Sequence, residues 1–229
     1  MAERPALVVL SSLALKGVLE KLKPPFEQAL LTPLDLRFDA TQAILMQLAT
    51  GLQADLLVLT AEAMEERRKS GQLMQVRVLG SSGVGVAVRA GMPKPDISSV
   101  DALKRSLLSA SSVAHSKIGV SGMYFAELLE RLGIAGRLKK RVVVEKGPVG
   151  LVVAAGEAEI GVQQLCELAP VPGIEIVGPL PEPVQRLTQF SAGIPANAAN
   201  PNGALQLMDL LRSEAARAAM VDGGMQPAA

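Results

Sequence analysis

Two hydrophobic periods alternate along this chain. Ala6-Leu-Val-Val-Leu10 is a short unbroken apolar run, as expected of a parallel strand covered on both faces. Leu13, Val18, Leu19 and Leu22 then recur at helical spacing, and Lys23-Pro-Pro25 predicts the end of that helix. Leu34-Asp-Leu-Arg-Phe38 alternates as a strand. Thr41 to Gly51 reads as a helix with Ile44, Leu45 and Leu48 on one face, Asp55 to Thr60 as a strand, and Ala61 to Ser70 as a charged helix. Strand and helix keep alternating, which predicts an α/β class with mainly parallel sheets.

At Leu79-Gly-Ser-Ser-Gly-Val-Gly85 the character changes, and the glycines and serines predict a crossing into a second lobe. Beyond it, helices are expected at 98–108, 121–132 and 147–155, and strands at 112–115, 141–144, 159–163 and 174–177. Leu187 to Ile194 reads as a strand returning to the first lobe, followed by helices at 201–211 and 213–220. Lobe one is thus expected to comprise 1–80 with 188–229, and lobe two 81–187.

Three places share one arrangement: a strand ends, hydroxyl or glycine residues follow, and a helix begins. They are Ser11-Ser12, Thr41-Gln42 and Gly119-Val120-Ser121-Gly122. A helix start offers unpaired backbone N–H groups and the positive end of the helix dipole, so it can hold an anion without Lys or Arg. Serine and threonine are also ordinary N-caps, so one such start would mean little. Asp39, just before Thr41, is expected to point away or accept a capping bond.

Composition narrows the ligand. Of 229 residues 49% are hydrophobic but only 2% aromatic, which removes base-stacking platforms. With 23 basic and 22 acidic residues the net charge is +1, which argues against nucleic acid as a partner. One cysteine, Cys166, and one histidine, His115, are too few for a common zinc pattern, so neither a metal nor a cofactor is expected. Cys166 reads as a small buried hydrophobe, and Met46, Met64 and Met123 as helix packing. No apolar run is long enough for membrane insertion. The N-terminal residues do not read as a secretory leader. The expected location is therefore cytoplasmic for a full chain, or periplasmic for a mature chain whose signal peptide has been removed.

Further polar candidates are Ser81 and Ser82 in the glycine-rich crossing, His115 with Ser116 at a strand end, and Gln163-Gln164 at another. Gly80 to Gly85 lacks the Lys-Ser/Thr of a phosphate loop. His115 is either a polar loop residue or a ligand donor and proton carrier, whereas Lys117 is by default a solvated surface lysine. Of Gln163 and Gln164, strand alternation sends one amide into the site and the other elsewhere.

Several segments together resemble the type II periplasmic-binding-protein fold, and more narrowly the molybdate-binding proteins of ABC importers and the related aconitate isomerase. They are Leu10-Ser-Ser-Leu13, Thr41-Gln-Ala-Ile44 with Gly51-Leu-Gln-Ala-Asp55, Gly122-Met-Tyr-Phe-Ala126, Gly156-Glu-Ala-Glu-Ile-Gly161 and Leu211-Arg-Ser-Glu-Ala-Ala216. The resemblance implies two lobes joined by two hinge strands, with a small anion held in the cleft between them. Carried over residue by residue, it places Ser12, Thr41, Val120, Ser121 and Gly122 at the ligand, with Gln163-Gln164 following the Gly-Glu-Ala-Glu segment. Where those proteins offer a tyrosine hydroxyl, this chain has only Tyr124, inside a helix. The amides of Gln163 and Gln164 with His115 suit a larger, less symmetrical anion, so the expected ligand is an oxyanion such as molybdate or a small carboxylic acid. The resemblance implies an ABC importer membrane subunit as partner. Its alternative is an isomerase that moves a proton in a tricarboxylic acid, with His115 as base and Lys117 or Glu145 as weaker candidates.

Overall fold

The computed structural model describes residues 5–229. In chain order the elements are β1 (Leu7–Ser12), α1 (Lys16–Leu30), β2 (Leu34–Asp39), α2 (Thr41–Ala49), β3 (Leu56–Thr60), α3 (Ala61–Lys69) and β4 (Leu73–Arg89). Next come α4 (Val100–Ser109), β5 (Val113–Ser116), α5 (Val120–Arg131), β6 (Arg141–Val144), α6 (Val149–Ala154), β7 (Ile160–Gln164) and α7 (Leu165–Leu168). The last are β8 (Ile174–Pro179), β9 (Leu187–Pro195), α8 (Pro201–Leu210), α9 (Glu214–Asp222) and β10 (Gln226–Pro227). The chain divides into two compact units: unit one is the chain up to Ser81 with Thr188–Ala229, and unit two is Ser82–Leu187.

In unit one the strand order is β2-β1-β3-β9-β4, with β10 added to β4. β1 runs parallel to both β2 and β3, so its Leu-Val-Val-Leu run is enclosed by strands on both edges. Leu10, Leu57 and Leu59 pack with Ile44 of α2 and Met64 of α3. α1 packs against α8 and α9. It does not stop at Lys23-Pro-Pro25 as its sequence predicts, because both prolines lie inside the helix. Val18, Leu19, Leu22, Phe26 and Leu30 form a buried stripe across them, and that burial outweighs the two N–H donors the prolines lack.

Unit one is also tied by a buried carboxylate. Asp55 accepts the backbone N–H of Val8 at 2.9 Å and that of Asn200 at 2.7 Å. It thereby joins β1 to the loop whose Asn200 caps α8 through Gly203 N–H.

In unit two β4 is flanked by β7 and β8, both antiparallel to it, while β5 lies between β6 and β7 and parallel to both. One face packs Val84, Val86, Val113 and Val162 under Leu103 and Leu107 of α4 and Phe125 and Leu128 of α5. The other packs Ala114 and Val144 under Val149 and Val153 of α6. Gly80 to Gly85 lies in the middle of β4, where the chain passes from unit one to unit two. Its small residues admit close neighbours: a Cβ at Gly80 would stand 2.5 Å from the Gln226 carbonyl oxygen, and one at Gly85 2.3 Å from Leu165 Cδ2. The glycines therefore permit crowded pairing rather than a turn.

Replacing Asp55 with alanine strands two part-buried N–H groups. We expect a loss of about 2–4 kcal/mol in chemical denaturation, against at most about 1 kcal/mol from Asp35→Ala, which removes a solvent-exposed ion pair with Arg37.

Candidate functional site

In each unit, parallel strands end along one edge, and that edge carries the polar residues. In unit one Ser12 closes β1 opposite Asp39 of β2, and α2 starts two residues later at Thr41. No side chain caps α2. Asp39 turns its carboxylate onto the N–H of Ala40 at 2.8 Å, so it is engaged beside the helix start. Ser11 is not available as a donor, because its hydroxyl already donates to the Ser12 carbonyl at 2.9 Å. The Ser12 hydroxyl is buried and has no protein partner. A buried hydroxyl left unpaired costs roughly 1–3 kcal/mol. Thr41, the first residue of α2, is buried and Gln42 is exposed.

In unit two His115 and Ser116 end β5, Gln163 and Gln164 end β7, and α5 begins at Val120. α5 has no side-chain cap of its own. The Ser116 hydroxyl accepts the N–H of Gly119 at 2.9 Å, which fixes the turn leading into the helix. A Cβ at Gly122 would sit 1.9 Å from the Ser116 carbonyl oxygen, so the first turn of α5 is pressed onto the end of β5 in a way only glycine allows. Ser121 is buried there.

His115 Nδ1 lies 3.0 Å from the Ser116 carbonyl oxygen. A carbonyl can only accept, so Nδ1 carries the proton and Nε2 presents a lone pair. Nε2 is buried and unpartnered, and the ring meets Phe125 edge-on at 5.7 Å. Burial pushes the imidazole below its ordinary pKa. The Ser116 and Gly122 carbonyls oppose that shift, and the nearby positive charge of Arg141 reinforces it. The ring is therefore neutral at pH 7, a proton acceptor rather than a charged anchor. Lys117 is spent on an exposed ion pair with Glu145 at 3.0 Å.

Gln163 has its amide engaged at both ends. Its oxygen accepts the N–H of Val149 at 2.8 Å, standing in for the cap that Pro148 cannot supply to α6, and its nitrogen donates to Glu167. Sequence reading missed Glu167, which lies four residues past Gln163 across the strand-to-helix turn. Its surroundings are tight enough that burial pushes the carboxyl up to about 7, against the hydrogen bond from Gln163. Gln164 is buried alongside. The Ser82 hydroxyl accepts the N–H of Cys166 at 3.1 Å, and Ser81 pairs with Gln226 in the β4–β10 ladder.

Cys166 is buried. Met64 is fully buried as well, but Met46 is 63% and Met123 38% exposed, so those two are surface residues of α2 and α5 rather than packing. Tyr124 serves unit two internally: its hydroxyl donates to the Val184 carbonyl at 2.8 Å, and Arg131 and Arg186 stand over its ring.

The family model for bacterial extracellular solute-binding proteins matches residues 7–226. The chain belongs to this solute-binding family. It is 39% identical to an aconitate isomerase from a Pseudomonas species over 231 residues, covering 96% of this chain and 87% of the relative. Its fold is similar to the periplasmic molybdate-binding protein of Azotobacter vinelandii, with a TM-score of 0.78 at 19% identity over 96% of this chain and 98% of that one. It is also similar to a sulfate-binding protein from Mycobacterium tuberculosis, with a TM-score of 0.75 at 15% identity over 98% and 87%. The two-lobed α/β expectation is thus met in this solute-binding fold. Among the described residues no helix is long and apolar enough to cross a membrane.

Glu167 gives a signed pH test. An acid whose pKa rises from 4.5 to about 7 on folding holds its proton in the native state, so its ionisation opposes folding. Stability from this group is full below pH about 4.5 and is lost as pH rises through about 7. Glu167→Gln removes that loss, so denaturation at pH about 8 should show a gain of up to about 3 kcal/mol over the parent, vanishing at pH about 4. A parallel test is Gly122→Ala, which should cost about 1–3 kcal/mol or more by forcing α5 off β5.

Proposed function

We propose that this chain captures a small carboxylic acid, holding its carboxylates with backbone N–H groups and hydroxyls rather than with Lys or Arg. What carries the reading is the start of α5: a twelve-residue helix without a side-chain cap, with Ser121 buried and glycine at position 122. Such a start offers N–H donors and the positive dipole end to an anion. The uncapped start of α2, beside the unpartnered Ser12 hydroxyl, offers the same chemistry in unit one. Ser12, Thr41, Val120, Ser121 and Gly122 are the ligand residues of this reading. Gln164 is a further contact. Gln163 acts by fixing the start of α6. A carboxylic acid is favoured over a tetrahedral oxyanion by the 39% identity to an aconitate isomerase, against 15–19% for the oxyanion binders. As a transport component the protein hands its ligand to an ABC importer membrane subunit, which goes with a periplasmic location.

The same relative favours a second reading, isomerisation of an unsaturated tricarboxylic acid. A base takes a proton from the allylic CH₂ and the electron pair moves the double bond along one carbon. The proton then returns at the far allylic carbon, so nothing is gained or lost. His115 is the chain's candidate, because its Nε2 holds an unshared lone pair at neutral pH and Nδ1 is oriented by Ser116. The step requires substrate to reach Nε2, which is out of solvent contact in this structure.

Thermal shift and calorimetry with cis-aconitate, trans-aconitate, citrate, molybdate and sulfate test the binding reading. A carboxylic acid at about 100 times its Kd should stabilise by about 2.7 kcal/mol, a shift of roughly 2–4 °C for a chain this long. A response to the oxyanions alone overturns it. Incubation with cis-aconitate, followed by NMR, tests the second reading. Turnover that falls about 10²-fold or more in His115→Gln with affinity retained supports catalysis. No turnover by the parent protein eliminates it.

A further inference from the structure

β5 and β7 carry the candidate ligand residues at their ends. At their beginnings, about 10 Å away along β5, unit two has a second polar concavity. It is a cavity of about 280 Å³ lined by Arg89, Met92, Ser111, Gly156, Ala158 and Glu159, among others. All of these residues belong to unit two.

Its two charges do not meet each other. Arg89 is the last residue of β4; its carbonyl accepts the N–H of Met92 at 3.0 Å, and among the described residues its guanidinium makes no ion pair. Its Nη1 arches over Gly156, 3.2 Å from where a side chain there would begin, and Gly156 has φ +77°. Any other residue at 156 would be strained and would crowd the guanidinium. Glu159 lines the same cavity and is held on one oxygen: the N–H and hydroxyl of Ser111 both donate to Oε2, at 2.7 and 2.6 Å. Those bonds, with Lys139 behind them, keep the carboxyl below its ordinary pKa, so it is charged at pH 7. Its Oε1 takes no hydrogen bond. Met92 and Ala158 add apolar surface.

A carboxylate held on one oxygen and a guanidinium lining the same small cavity match a molecule whose two opposite charges are borne by groups on one carbon atom. We propose that this cavity binds a zwitterion of the free α-amino acid class, its carboxylate on Arg89 and its ammonium on Glu159 Oε1. The volume equals the liquid share of about nine waters, enough for an amino acid with a small side chain. Arg89 is suited to the carboxylate because its planar fork can pair both oxygens at once. Binding here is separate from the site under Proposed function, since none of the residues is shared.

Calorimetry of the full chain with glycine, L-alanine and L-serine tests this, with propionate and ethylamine as single-charge counterparts of alanine. Saturable one-to-one binding of at least one amino acid is expected. Binding should be about tenfold or more weaker for either counterpart, and similarly weaker in Arg89→Gln and Glu159→Gln. Arg89 and Glu159 are both exposed, and circular dichroism of each variant should match the parent. The response of Arg89→Gln to carboxylic acids at the other site should equal the parent's, whatever that response is, so failure of one reading is distinguishable from failure of the other. The proposal is overturned if no amino acid saturates below about 10 mM, if propionate binds as well as alanine, or if Arg89→Gln binds as tightly as the parent.

Discussion

A helix that begins where a buried parallel strand ends must leave its first N–H groups without intrahelical partners. Much of this protein's polar architecture answers that constraint. α3, α4, α8 and α9 answer it locally, with Thr60, Ser99, Asn200 and Ser213 accepting from the backbone three residues on. α6 answers it from a distance, through the Gln163 amide of the neighbouring strand. α1, α2 and α5 have no side-chain cap; of these, α2 follows Asp39, the ladder partner of Ser12, and α5 carries the buried Ser121 in its first turn.

The constraint also explains why the candidate residues differ so much in what they can still do. Ser11, Ser82 and Gln163 are spent on the fold: each has its polar side chain bonded to backbone or, for Gln163, to backbone and Glu167. Ser116 spends its hydroxyl on shaping the turn that brings α5 down onto β5. Ser12 and His115 keep an unsatisfied atom in the interior. Leaving a buried acceptor or donor unmatched weakens a fold, and these two atoms, like Arg67 Nε, are the buried exceptions among the described residues.

The order of strands and helices was legible because the apolar runs are short and their flanking residues punctuate them clearly. What the sequence hid was tertiary. Pro24 and Pro25 read as a stop, yet the stripe from Val18 to Leu30 carries α1 through them. Gly80 to Gly85 reads as a crossing into a second lobe, but residue type does not show that the glycines make room for the Gln226 carbonyl and the Leu165 side chain inside a strand. Met46 and Met123 fall at helical positions but face outward, which helical spacing alone cannot decide. At the candidate site, the strand ends and helix starts could be located from residue type. Whether Gln163 meets a ligand or a helix could not, because that depends on Val149 and Glu167, which only the fold brings to it.

The two units also differ in how the chain assembles them. Unit two is one continuous stretch, Ser82–Leu187, so every contact it needs is present once that stretch has left the ribosome. Unit one is interrupted. Asp55 waits for Asn200, 145 residues later, and β3 waits for β9. Closing so long a loop carries an entropic cost that the intervening unit reduces once folded, by drawing its two ends in from their unfolded separation. Unit one is completed only by the chain from Thr188 onward, whereas unit two is already whole before that segment begins.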